Sequence, residues 1–283
     1  MSTTLFEENK LVIERKLSAV KAAKALLLRD CAADYLSKYD SGISTEETAG
    51  YYSSVFGSSD LMSEDFALFC REITSQSGEK ILPLTFDESE LTDGNSAKIS
   101  YLKNVFSDRA YSLFSSVTEK PSAVYFTSFR EVCEEVFFGR CKYAILPIYT
   151  SSDGPLASFR HLISKYDLKI SHVTDVETDS DAYMRFALLQ KGLSSEAGDP
   201  TENANLFVTV ILPRNENIVP FLSALKALGA DVRSINTLSA EYSDTELCFD
   251  IILGIKHGDL SALYLFLECL KIRYNVVGNY RTL

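Results

Sequence analysis

At 283 residues the chain is long enough for two or three domains with proper cores, and its 46% apolar and 24% charged residues are ordinary for a globular protein. A formal net charge of -11 argues against nucleic acid and anionic membranes as partners, since both need a basic face; a pocket for a small anion stays open. No apolar run is long enough to span a bilayer, and the start, Met1-Ser2-Thr3-Thr4-Leu5-Phe6-Glu7-Glu8, has no signal-peptide pattern. The six cysteines lack CxxC spacing and read as buried free thiols of a cytoplasmic protein.

Residues 1 to about 80 carry no strand and few breakers. Leu5 to about Lys38 reads as one long helix rich in Ala, Leu and Lys. Ser44 to Phe56 is a second, with Ser44 and Glu47 at capping-box spacing, and Ser63 to about Lys80 a third, with apolar Phe66, Phe69, Cys70 and Ile73. Pro83, four acidic residues and Gly94-Asn95-Ser96 make Leu82 to Ala97 a linker. Lys98 to Leu102 then starts an α/β segment, and Phe106-Ser107 to Phe114 is its first helix, with Ser107 as N-cap by residue type.

Ser122 to Leu156 reads as strand, helix, strand and loop. Ala123-Val124-Tyr125-Phe126 is a short β-rich run, and Ser128 with Glu131 has capping-box spacing. Phe129, Val132, Cys133, Val136 and Phe137 form one apolar helical face, which Gly139 closes. Tyr143 to Ile148 is a second strand, apolar enough for burial on both faces of a parallel sheet, so the unit is a right-handed βαβ crossover. The loop Tyr149 to Gly154 leaves the C-terminal end of that strand, where open α/β sheets place their ligands. Ala157 to Tyr166 follows as a helix and Leu168 to Val176 as a strand. After a polar linker, Ser194 to Asn205, the chain reads β-α-β-β-α-β: Leu206–Leu212, a helix Val219–Leu228 closed by Gly229, Val232–Ser239, Leu247–Leu253, a helix Asp259–Ile272 with Asp259 as N-cap, and Tyr274–Val277. His161, His172 and His257 lie far apart, so no metal spacing and no cofactor motif emerges.

Leu146-Pro147-Ile148 followed by a small polar loop and Gly154 resembles prephenate dehydratase, whose loop reads Pro-Ile-Glu-Asn-Ser, two residues, then Gly. Here Glu and Asn are replaced by Tyr149 and Thr150. Residues 1–80, with Phe69-Cys70-Arg71-Glu72-Ile73-Thr74-Ser75-Gln76-Ser77 as the best local match, resemble the helical chorismate mutase domain. The C-terminal segment, ending Val276-Val277-Gly278-Asn279-Tyr280, resembles an ACT domain. In this order the three match the bifunctional chorismate mutase–prephenate dehydratase of phenylalanine biosynthesis. The implied fold is multidomain α and α/β. A helical domain spans 1–81, a truncated prephenate-dehydratase-like α/β domain of periplasmic-binding-protein type spans 97–193, and a ferredoxin-like ACT domain spans 205–283.

The resemblance also locates departures. Mutase chemistry needs several cations around a dianion. The family's first-helix arginines fall near Glu14 or Arg15 and near Arg29 or Cys31, its second-helix triad around Thr45 to Thr48, where no Arg exists, and its closing Gln or Glu near Ile81. Arg15, Lys16, Lys21, Lys24 and Arg29 therefore read as a solvated face, and no mutase activity is expected. The family's Gly-rich turn and Thr-Phe-Ser become Lys103-Asn104-Val105-Phe106-Ser107. Its Thr-Arg-Phe, whose threonine is the implied acid, becomes Met184-Arg185-Phe186, and a thioether has no proton to donate. The family has about 100 residues between loop and triplet and this chain about 30, so the second wall of a two-lobed cleft reads as deleted. In the ACT-like part, Gly-Ala-Leu becomes Asn217-Ile218-Val219 and Glu-Ser-Arg-Pro becomes Asn236-Thr237-Leu238-Ser239, losing the glycine that lets a bound amino acid approach.

The leading expectation is a degenerate, non-catalytic relative that acts by binding or regulation. It would be a homodimer with an amino acid or another small molecule as ligand. Its vestigial substrate site would be Ser107, Thr150, Ser151, Arg185 and Phe186, and its effector site Asn217 to Val219 with Asn236 to Ser239. The alternative is an active prephenate dehydratase, regulated by an amino acid through the ACT-like part, with Thr150 or Ser151 as the substitute acid. A small-molecule sensor of another class is the third reading.

Overall fold

In the computed structural model the described residues are 2–39, 43–78, 97–177, 182–193, 204–238, 245–255, 260–270 and 272–283. They form two compact units, each assembled from separated stretches of chain: Met1–Leu82 with Asn217–Leu228 and Asp259–Lys271, and Pro83–Glu216 with Gly229–Gly258 and Ile272–Leu283. The segment 205–283 thus gives its helices to the first unit and its strands to the second. The linkers Leu82–Ala97 and Ser194–Asn205 fall almost wholly outside the described residues, as do Ser239, His257 and the Asp259 cap.

The first unit is helical. Helix α1 runs Ser2–Lys38, α2 Thr45–Phe56 and α3 Glu64–Ser77; Ile218–Ala227 and Leu260–Cys269 are two more helices, numbered α7 and α8 in chain order. Local chemistry sets the boundaries. The Ser44 hydroxyl accepts from the Glu47 amide and the Ser63 hydroxyl from the Phe66 amide. Gly57 and Gly78, at φ 63° and 70°, take the left-handed turn that ends α2 and α3. The core is aromatic: Tyr35, Phe66, Phe69, Phe221 and Phe266 are fully buried, and Phe66 meets Phe266 at 6.1 Å between ring centres. Buried hydroxyls stay satisfied, with Thr48 donating to the Tyr35 oxygen (2.9 Å) and Tyr35 to the Ser44 carbonyl (3.3 Å). Arg71 of α3 donates to the Ala227 carbonyl that ends α7 (3.0 Å).

Among the described residues the second unit is a ten-stranded mixed sheet with three helices. In chain order these are β1 Lys98–Leu102, α4 Val105–Phe114, β2 Ser122–Phe126, α5 Phe129–Phe137, β3 Tyr143–Thr150, β4 Gly154–Pro155, α6 Ala157–Lys165, β5 Leu168–Glu177 and β6 Tyr183–Lys191. There follow β7 Ala204–Pro213, β8 Ala230–Leu238, β9 Glu246–Ile255 and β10 Arg273–Thr282. The strand order is β2-β1-β3-β6-β5-β10-β7-β9-β8, with β4 folded back on the end of β3. Parallel pairing joins β2, β1 and β3; β6 is antiparallel to β3 and β5; β10, β7, β9 and β8 are antiparallel throughout. Between the two halves, β5 pairs parallel with β10.

Strand alternation divides the core into two faces. Ala144, Leu146, Ala187 and Leu189 meet Val132, Cys133 and Val136 of α5 and Ile163 of α6. Ile145, Phe186 and Leu188 meet Ala110 and Phe114 of α4. The capping box of α5 is complete, Ser128 accepting from the Glu131 amide and Glu131 accepting back from the Ser128 amide. At the β5–β10 seam a side-chain carbon on Gly278 would stand 2.6 Å from the Ile170 carbonyl oxygen, so only glycine fits. Arg160 of α6 reaches Asp250 of β9 at 2.8 Å and Thr209 of β7 at 2.5 Å, tying the helix to the second half of the sheet.

Two local expectations are corrected. Asn104, not Ser107, caps α4: its side-chain oxygen accepts from the Ser107 amide at 2.9 Å. Tyr149 and Thr150 belong to strand rather than loop, because β6 supplies a pairing partner for both.

Candidate functional site

Thr150 and Ser151 meet the Met184–Phe186 triplet where β3 ends and β6 begins. Their antiparallel register sets Thr150 opposite Met184, Tyr149 opposite Arg185, and Pro147 opposite Phe186, with an irregularity at Ile148. The hairpin that follows β3 is tied by its own side chains. Thr150 donates its hydroxyl proton to the Asp153 carboxylate (2.9 Å) and accepts from the Asp153 amide (2.9 Å), while Ser152 donates to the same carboxylate at 3.0 Å. Ser151 bridges the strands: its amide donates to the Tyr183 carbonyl (2.9 Å) and its hydroxyl accepts from the Tyr183 amide (3.0 Å).

Alternation along β6 separates the triplet. Met184 and Phe186 point to the α4 side, packed against the cluster that includes Ile99, Tyr101 and Phe114. Ser107 lies on the same sheet-facing stripe of α4 as Ala110 and Phe114. It is 1% exposed, and its hydroxyl has no hydrogen-bond partner. Arg185 points to the opposite face. Asp175, its register partner on β5, accepts from it twice, at 2.7 and 2.8 Å. The hydrogen bond to Asp175 is the main reason the guanidinium pKa is raised, and an arginine side chain is charged at any working pH in any case. The same guanidinium lies 5.7 Å from the ring centres of Tyr149 and Tyr183, which stack on each other at 5.8 Å. Burial, with Tyr149 next, raises the Tyr183 phenol.

Thr150, Ser151 and Met184 are thus brought together at the end of β3, Ser107 and Phe186 lie in the α4-side core, and Arg185 sits across the sheet from both. Sequence reasoning missed Asp175, Tyr183 and Asp153. The only signal for the first was an acidic residue in a strand beside a strand carrying Arg. Of the effector residues, Asn217 caps α7, its side chain accepting from the Val219 amide at 2.9 Å. Asn236 and Thr237 are exposed on the edge strand β8. Among the described residues no group of three or more His, Cys, Asp or Glu could hold a metal ion, and no helix is long and apolar enough to cross a membrane.

No protein-family model matches the chain, and no curated protein does. Solved structures do. A prephenate dehydratase from Streptococcus mutans aligns with a TM-score of 0.51 at 20% identity, over 65% of this chain and 98% of that one. The prephenate dehydratase from Arthrobacter aurescens, in complex with L-Phe, gives 0.50 at 13% identity, over 65% and 90%. GqqA, titled a novel type of quorum quenching acylase, gives 0.52 at 16% identity, over 66% and 96%. These likenesses are of fold alone: the chain has a prephenate-dehydratase-like fold.

Proposed function

We propose that this chain is a non-catalytic relative of the chorismate mutase–prephenate dehydratase of phenylalanine biosynthesis, acting by binding rather than turnover. The observation that carries it is the pairing of Met184 with Thr150. Expelling the prephenate hydroxyl requires a proton donor within hydrogen-bond reach. The residue at the family's acid position is a thioether packed into an apolar cluster, the Thr150 hydroxyl proton goes to Asp153, and the Ser151 oxygen accepts from the Tyr183 amide. Arg185, the guanidinium that could hold a substrate carboxylate, is occupied by Asp175.

A second reading, amino-acid sensing by an ACT-like part, is favoured by the antiparallel order β10-β7-β9-β8, which is that of a βαββαβ ferredoxin-like sheet. The A. aurescens neighbour in complex with L-Phe lends it the ligand class.

The test is phenylpyruvate formation from prephenate at neutral pH, with Met184→Thr run beside the wild type. Background rates in both are expected. Turnover by the wild type overturns the proposal, while turnover by the variant alone places the loss in the acid. Calorimetric titration with phenylalanine tests the second reading, and absence of heat removes it.

A further inference from the structure

Strand β8 slips in register against β9 between Val232 and Ser234, and Arg233 stands at that bulge. Bulges re-aim side chains. This one lays the Arg233 guanidinium across β9, over Gly254, where it donates to the side-chain oxygen of Asn205 on β7. A side-chain carbon on Gly254 would stand 2.9 Å from Arg233 Cζ, so glycine is what leaves the path open. The bulge carries a penalty, since the neighbouring Ser234 hydroxyl is enclosed without a hydrogen-bond partner. Among the described residues Arg233 has no carboxylate partner, and one bond to Asn205 leaves most of its five donors unused.

Tyr280 of β10 is the register partner of Asn205 from the other side. It belongs to the α5–α6 face of the sheet, which Asn205 shares through its alternation with Phe207. Asn205, 3% exposed, therefore stands between the Arg233 guanidinium and the Tyr280 ring. Tyr280 is 8% exposed, and among the described residues its phenol has no hydrogen-bond partner. Unlike the Ser234 hydroxyl, the phenol oxygen keeps contact with solvent. Burial pushes its pKa up to about 12, against the opposing charges of Arg185 and Arg233, so at neutral pH it has a proton to donate.

We propose that Arg233 and Tyr280 hold a small monocarboxylate, the guanidinium fork facing its two oxygens and the phenol donating to one of them. Charge selects that class. Arg185, held twice by Asp175, offers no free donor of its own to this ligand. Asp175 and Asp231, the latter the register partner of Gly254, repel a dianion such as phosphate more than a single carboxylate. A planar carboxylate also matches the guanidinium fork. The effector candidates Asn236 and Thr237 lie farther along β8, past the bulge, and take no part. The inference does not depend on whether the β3–β6 site turns anything over.

The experiment is calorimetric titration of the full chain with benzoate at neutral pH, with inorganic phosphate as the comparison anion. Benzoate should bind at a single site per chain and more tightly than phosphate. Arg233→Gln should weaken benzoate about tenfold and Tyr280→Phe about fivefold, the scale of hydrogen bonds to a charged group. Gly254→Ala adds only a methyl group beneath the flexible guanidinium, so it should weaken benzoate as Arg233→Gln does by pushing that group aside. The near-ultraviolet signal of the aromatic core should be unchanged in all three variants. A wild type that takes up no benzoate, binding indifferent to both Arg233→Gln and Tyr280→Phe, or a preference for phosphate would each overturn the proposal.

Discussion

Two of the arginine–carboxylate pairs in the second unit share their chemistry and differ in consequence. Arg160–Asp250 is 17% and 8% exposed, shares Thr209 as a third member, and lies 5.4 Å from the Phe207 ring centre. Arg185–Asp175 is 35% and 38% exposed, beside two tyrosine rings. Breaking the first leaves a charge stranded among buried groups; breaking the second returns both charges to water. The buried pair is therefore architecture. The half-exposed pair contributes little to stability, and its effect is to keep a guanidinium occupied.

The comparison fails if the two pairs respond alike. Asp250→Ala should cost about 3–5 kcal/mol, read as a shift of the urea midpoint. Gly278→Ala, at the seam that the buried pair reinforces, should cost about 1–3 kcal/mol, because the Ile170 carbonyl cannot retreat without disturbing the ladder. Asp175→Asn should change stability by less than about 1 kcal/mol, yet give Arg185 measurable affinity for a small carboxylate such as phenylpyruvate in calorimetry. A large loss of stability there would make both pairs structural. The smallest effect at neutral pH belongs to Tyr280, whose phenol burial pushes up to about 12 from 10.0, against the opposing pull of Arg185 and Arg233. Its folded pKa lies above the unfolded one, so its stabilisation is complete below pH 10 and drains away as pH rises towards 12. Tyr280→Phe should leave the melting temperature unchanged at pH 7 and raise it relative to wild type above pH 10.

Helix starts were legible in the sequence because their causes are local: Ser44, Ser63 and Ser128 sit three residues from the amide each one accepts. The cap of α4 shows the limit. Asn104 and Ser107 are both capping types three residues apart, and Asn104 wins by standing just past the end of β1. Thr150 and Met184 were singled out from residue identity, but their adjacency is a product of register, and the irregularity at Ile148 lies between the residues that fix it. The Arg185–Asp175 contact was illegible for the same reason, since the β5–β6 ladder slips near Ile170 before the two align. Nor could periodicity reveal that α7 and α8 join α1 to α3: an apolar stripe records that a helix is buried, not by what.

The place of β10 has a consequence in time. The last strand in chain order fills a slot in the interior of the sheet, between β5 and β7. Until it arrives, a growing polypeptide holds two unfinished ladders, each with a bare row of amides and carbonyls facing the gap. Such edges are templates for stray pairing, and contacts closed over so long a span of chain form slowly. Until β10 has been made, the nascent chain therefore exposes β5 and β7 to stray pairing at the same time.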